Sequence, residues 1–133
     1  SDEVLALCTR AFVEPGGTIG FFDPSYSLYP VLSAIADVRV LPVPLDEHFG
    51  LPHPVAQPAS LFFLTTPNAP TGLLYPRAGV EAFCRAQAGV VVLDEAYADF
   101  APDAFADLAL RLPNVLVSRS LSKSYSLAGL RLG

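Results

Sequence analysis

The sequence predicts an α/β domain, a three-layer αβα arrangement around a mostly parallel sheet. Three observations carry this. The apolar runs Leu61 to Thr65, Val90 to Leu93 and Val115 to Val117 are continuous, not alternating, as in strands buried on both faces. Helical stretches, Arg77 to Ala88 and Asp103 to Arg111, separate those runs in the strand–helix–strand order of parallel pairing. Charged residues are only 16% of the chain, few enough for elements covered on both sides.

The elements follow in order. Asp2 to Phe12 reads as a helix, with Ser1-Asp2-Glu3 as its cap and dipole complement. Pro15-Gly16-Gly17 stops it. Thr18 to Phe22 is a short strand, Asp23-Pro24 a turn, Tyr26 to Ala36 a helix and Val38 to Val43 a strand. Pro44 to Pro58 is Pro-rich and reads as a surface connection. The three apolar strands and their two helices complete the chain, with no internal repeat.

At 133 residues the chain is one domain's worth, long enough to bury a core. The net charge is −5 and no basic stripe is present, which argues against nucleic acid as a partner. No apolar run approaches the length that spans a bilayer, and the acidic opening lacks the basic region of a signal peptide. Cys8 and Cys84 form no CxxC, and His48 and His53 sit in the Pro-rich connection, so neither a metal site nor a disulfide framework is expected. A cytoplasmic setting fits this usage.

Each of the three apolar runs ends in polar chemistry: TPNAPTG, DEAYADF and SRSLSKSYSLAGLRLG. Parallel α/β sheets bind ligands beyond the carboxyl ends of their strands. If the three strands are neighbours, Asn68, Asp94, Tyr97 and Lys123 converge on one crevice. Lys123 is the only lysine beside seven arginines. An amine flanked by Ser120 and Ser122, with Arg131 eight residues on, suits imine formation with a carbonyl cofactor whose anionic group those residues hold. A solvated loop lysine is the plainer reading.

The other candidates each carry two readings. Asp94 follows VVVL, and a carboxylate at a buried strand end needs a cationic partner: a protonated ring nitrogen, an arginine or a helix start. Asn68 lies between Pro67 and Pro70 and before Gly72, in a rigid loop that presents its amide or in an ordinary turn. Tyr97 either shares Asn68's ligand or packs in the core. Tyr26, in PSYSLY, either stacks on a flat ring or packs. Ser1 and Asp2 cap a helix whose N–H groups could also bind a phosphate.

PNAPTG, DEAYADF and SRSLSKSYSLAGLRLG, in this order, resemble the fold type I aminotransferases that use pyridoxal 5'-phosphate (PLP), and most closely the histidinol-phosphate aminotransferase family. The resemblance runs from Ser1 to Gly133. It implies Lys123 as the Schiff-base lysine and Asp94 as partner of the pyridine nitrogen. Asn68 and Tyr97 would contact the phenolic oxygen, and Tyr26 would stack on the ring. Ser120, Ser122 and Arg131 would bind the phosphate, assisted by Ser1 and Asp2. The implied reaction moves an amino group between an amino acid or amino-phosphate and a 2-oxo acid, in a homodimer. A decarboxylase or lyase of the same fold, or a non-catalytic sensor domain of a transcription regulator, shares these motifs. The resemblance also implies that residues 1–133 are the central part of the large domain, without the N-terminal segment and small C-terminal domain of relatives. The substrate-carboxylate arginine and a partner-subunit tyrosine would belong to those parts, so this piece alone is expected not to transaminate.

Overall fold

The computed structural model describes residues 1–53 and 56–133; Pro54 and Val55, within the Pro44 to Pro58 connection, lie outside the described residues. Among the described residues, five strands form one sheet: β1 (Thr18–Asp23), β2 (Arg39–Pro44), β3 (Leu61–Thr65), β4 (Val90–Asp94) and β5 (Val115–Ser118). Their order is β2-β1-β3-β4-β5, and every neighbouring pair is parallel. Four helices accompany them: α1 (Asp2–Phe12), α2 (Leu28–Ile35), α3 (Arg77–Ala86) and α4 (Ala106–Arg111). Short 3-10 turns lie at Ala98–Phe100 and Ala128–Leu130.

The three layers follow from side-chain alternation along the central strands. Leu61 and Phe63 of β3 point to one face and pack with Leu5 of α1 and with Tyr29 and Leu32 of α2. Phe62 and Leu64 point to the other and pack with Val80, Phe83 and Cys84 of α3 and Leu108 of α4. Every residue of β3 is buried, which explains its unbroken apolar run. The sheet approaches closely enough at Gly20 that a Cβ there would meet the Phe62 ring at 2.4 Å. Edge strand β2 carries no fully buried residue.

Four helix boundaries differ from expectation, the simplest being that α2 ends at Ile35, one residue before Ala36. α2 starts at Leu28, not Tyr26, because Tyr26 turns its hydroxyl to the Asp2 carboxylate, 3.2 Å away. α4 starts at Ala106, not Asp103. The Asp103 carboxylate and the Ala104 carbonyl accept from Arg77, and the Phe105 N–H donates to Glu95, so three residues that could open the helix are held elsewhere. α3 ends at Ala86, not Ala88, where Gln87 adopts extended geometry. Strand β2 starts one residue later than Val38.

Strand order positions the site. β1 runs through α2 to β2 on one side, and the chain then returns to β3 on the other side of β1. The segments leaving β1 and β3 therefore diverge, opening a crevice at their carboxyl ends.

Candidate active site

The crevice is a cleft of about 580 Å³, including space open to solvent. It is lined by Ser1, Asp2, Tyr26, Asp94, Tyr97, Ser120, Ser122, Lys123 and Arg131, among others. The three strands whose ends were expected to meet, β3, β4 and β5, are adjacent. Nine of the ten candidate residues thus share one cleft.

Asn68 is the exception. It is buried in the turn after β3 and lines a neighbouring hollow with Pro67, Pro70, Gly72 and Tyr97. Its amide is held on both sides: Nδ2 donates to the Pro24 carbonyl and to Thr71, each at 3.0 Å, and Oδ1 accepts from Ser25 at 2.9 Å. Tyr97 belongs to both spaces. Asn68 therefore sets the shape of the PNAPTG turn, and Ala69 of that turn reaches the cleft.

Asp94 closes β4 and is buried at the cleft floor. Its Oδ2 accepts from the Tyr29 hydroxyl at 2.9 Å, and its Oδ1 accepts from the Ala96 N–H at 3.2 Å. Burial pushes its carboxyl above the usual range, against the lowering effect of those two donors. No arginine pairs with it among the described residues, which removes the plainer reading of an internal ion pair.

Lys123 lines the same cleft as Asp94 and is exposed. Its ammonium lies 5.6 Å from the centre of the Tyr97 ring and makes no ion pair with any described residue. Around it, the Ser120 hydroxyl is buried and accepts from the Ser122 N–H at 3.0 Å, which folds the loop back on itself. Arg131 reaches across to Asp2 Oδ2 at 3.2 Å, and Asp2 Oδ1 holds Tyr26. The Asp2 carboxylate thus ties three elements together at the mouth. Ser1 stands at the N-cap of α1, yet its side chain makes no capping bond, so the N–H groups of the first turn keep their donor capacity.

Several residues that matter here carried no separable signal in the sequence. Tyr29, Thr65 and Ser25 form a hydrogen-bonded file behind Asp94, with Tyr29 meeting Thr65 at 2.5 Å and Ser25 meeting Thr65 at 2.9 Å. Glu95 is buried, accepts from the Phe105 N–H and pairs with Arg119 at 2.8 Å. It joins the end of β4 to the start of the lysine loop.

The donor set has a definite chemistry. A buried acid lies at the floor, an unpaired amine at the wall, and hydroxyls, a guanidinium and a helix start at the mouth. That suits a flat, basic heterocycle bearing a carbonyl and an anionic group.

Comparisons with known proteins identify the family and the fold. The family described as aminotransferase class I and II matches residues 1–133. The chain is 49% identical over its full length to a histidinol-phosphate aminotransferase of Syntrophotalea carbinolica and covers 39% of that protein. It is also 49% identical to one of Geobacter sulfurreducens, of which it covers 38%. Among solved structures it resembles histidinol-phosphate aminotransferase from Sinorhizobium meliloti in complex with pyridoxal-5'-phosphate. There the TM-score is 0.85 at 30% identity, covering 98% of this chain and 38% of that one. Aspartate aminotransferase from Thermus thermophilus shares the fold at a TM-score of 0.87 and 24% identity, over 98% of this chain and 37% of the other. The chain thus spans well under half the length of the curated relatives it matches. With its whole length matched, the chain belongs to the class I and II aminotransferase family.

Proposed function

We propose that this chain holds PLP and supplies the lysine and acid of a transaminase that moves an amino group between an amino acid or amino-phosphate, histidinol phosphate-like, and a 2-oxo acid. The observation that carries this is one cleft containing buried Asp94, unpaired Lys123 and the Ser120–Ser122–Arg131 mouth. The intact enzyme is read as a cytoplasmic homodimer, and this chain as the cofactor-binding centre of its large domain. Among the described residues no helix is long and apolar enough to cross a membrane.

Bound PLP supplies an aldehyde that exchanges between amines and a ring that accepts electrons from the substrate Cα. The residues divide the remaining work. Asp94 holds a proton on the ring nitrogen and keeps the ring cationic, which offsets its own burial. Lys123 Nζ would hold the cofactor's carbonyl carbon and would move a proton to and from the substrate carbon. Tyr97, whose ring already lies against the Lys123 ammonium, orients that amine. Arg131, Ser120, Ser122 and the first turn of α1 hold the phosphate. Arg131 must leave Asp2 to do so, because a dianion and the Asp2 carboxylate compete for it. Tyr26, at the mouth, covers a ring face, and Asn68 keeps the PNAPTG turn in shape.

The test is amino transfer in a polypeptide of the relatives' full length that carries this chain. It is loaded with PLP and given histidinol phosphate, and the products are separated by chromatography. Stoichiometric pyridoxamine phosphate is expected from the native sequence and none from Lys123→Ala. Carbon dioxide release from an amino acid without pyridoxamine phosphate would replace the reading with a decarboxylase.

A further inference from the structure

Behind Asp94 the hydroxyls do not balance. Five oxygens lie in file: Asn68 Oδ1, Ser25 Oγ, Thr65 Oγ1, Tyr29 OH and Asp94 Oδ2. Four contacts join them, at 2.9, 2.9, 2.5 and 2.9 Å in that order. Asn68 Oδ1 can only accept. Its amide orientation is fixed because Nδ2 must donate to the Pro24 carbonyl, which has no proton to give. An ionised Asp94 can only accept too. Between these two acceptors, Ser25, Thr65 and Tyr29 bring one proton each. Three protons then serve four contacts, and one pair of oxygens meets lone pair to lone pair. A proton on Asp94 removes the conflict. Four protons fill four contacts, all running one way: Asp94 to Tyr29, Tyr29 to Thr65, Thr65 to Ser25, Ser25 to Asn68.

We propose that Asp94 carries a proton in the empty cleft, and that the Tyr29–Thr65–Ser25–Asn68 file is the device that holds it there. Tyr29 and Thr65 are positioning residues in this account. They act on Asp94 through proton count, not through contact with a ligand.

Other features agree. Tyr29 keeps its own proton: burial pushes it well above the usual phenol range. Burial also favours neutral Asp94. The charged and titratable groups facing Asp94 pull in both directions. The Tyr29 hydroxyl favours the anion, and Asp2, in α1, opposes it. Tyr26 and Tyr29 face it from the β1–α2 segment, and Tyr97, Lys123 and Arg131 share its cleft. The proton count is independent of all of these.

The count makes a prediction whose sign differs from a burial effect. Thr65→Val removes the middle oxygen, leaving Ser25 bonded to Asn68 and Tyr29 bonded to Asp94, with nothing missing when Asp94 is ionised. Ser25→Ala does the same by leaving Thr65 to donate to Tyr29 and Tyr29 to Asp94. Burial alone predicts that replacing a hydroxyl by methyl leaves the acid unchanged or makes it weaker. The experiment is a carbon-13 NMR titration of Asp side-chain carboxyls in the cofactor-free chain, with Asp94 assigned by its loss in Asp94→Asn. The amide spectrum of each variant reports whether the sheet is intact. The expected result is a midpoint above the ordinary Asp range in the native chain. It should fall by about one pH unit, a tenfold weaker hold on the proton, in Thr65→Val and in Ser25→Ala. A native midpoint in the ordinary range overturns the proposal. So does a midpoint that stays or rises in whichever variant folds; Ser25 is only partly buried, so Ser25→Ala is the safer one. Because no cofactor is present, this result stands apart from whether PLP binds.

Discussion

Asp94 is the residue where burial and charge conflict most. Its carboxyl is raised by burial, so the folded chain binds more protons than the unfolded chain between the ordinary carboxylate range and the raised value. Stability therefore falls as pH rises through that window and levels off above it. Asp94→Asn removes the titration, and its amide can donate to Tyr29 as the protonated acid does. The expected outcome is a flatter pH dependence and greater resistance to urea at neutral pH in the cofactor-free chain, measured by denaturation at several pH values. An unchanged slope would mean that Asp94 is not the group responsible. This residue was legible in the sequence because a carboxylate after VVVL has few explanations. Tyr29 was not. It occupies an ordinary inward position of α2, stacked on Phe63 at 4.7 Å, and only its hydroxyl's meeting with β3 and β4 separates it from a packing tyrosine.

At the scale of elements, legibility depended on whether local or distant groups set the boundary. α1 matches its expected span because its own acids open it and Pro15-Gly16-Gly17 ends it. β3 matches because every residue is buried. The start of α4 was misplaced because Arg77 and Glu95, on other elements, take its opening groups. The same Glu95 is the strut between the DEAYADF segment and the lysine loop. Its side chain is fully buried, and its Oε2 meets Arg119 Nη2 at 2.8 Å. Arg119 is itself half exposed, so water screens part of this pair. Glu95→Ala leaves the Phe105 N–H without its acceptor and frees Arg119. A loss on the order of 2 kcal/mol in urea denaturation is expected. Hydrogen exchange should also quicken in the segments after β4 and β5 before it does in β3. Uniform quickening across the sheet would show that Glu95 supports the whole fold and not this strut.

For the whole molecule, the sequence disclosed the class of fold and the meeting of three strand ends, but not the strand order. Nothing local says that β3 returns to the far side of β1. That return opens the crevice, brings Ser25 against Thr65 and Asn68, and lets α1 lie at the mouth. It also explains why Asn68 stands in the adjacent hollow: the β1–α2 turn holds its amide. The central claim is that this arrangement is a PLP site with Lys123 as its amine. The most direct measurement is incubation of the chain with PLP, reduction with borohydride, and peptide mapping by mass spectrometry. Reduction fixes PLP to whichever amine has joined it, and Lys123 is the only lysine, leaving the N-terminal amine as its one competitor within the chain. The account predicts label at Lys123 that falls sharply in Asp94→Ala. Label at Ser1 alone, or equal labelling of Lys123 with and without Asp94, would contradict it.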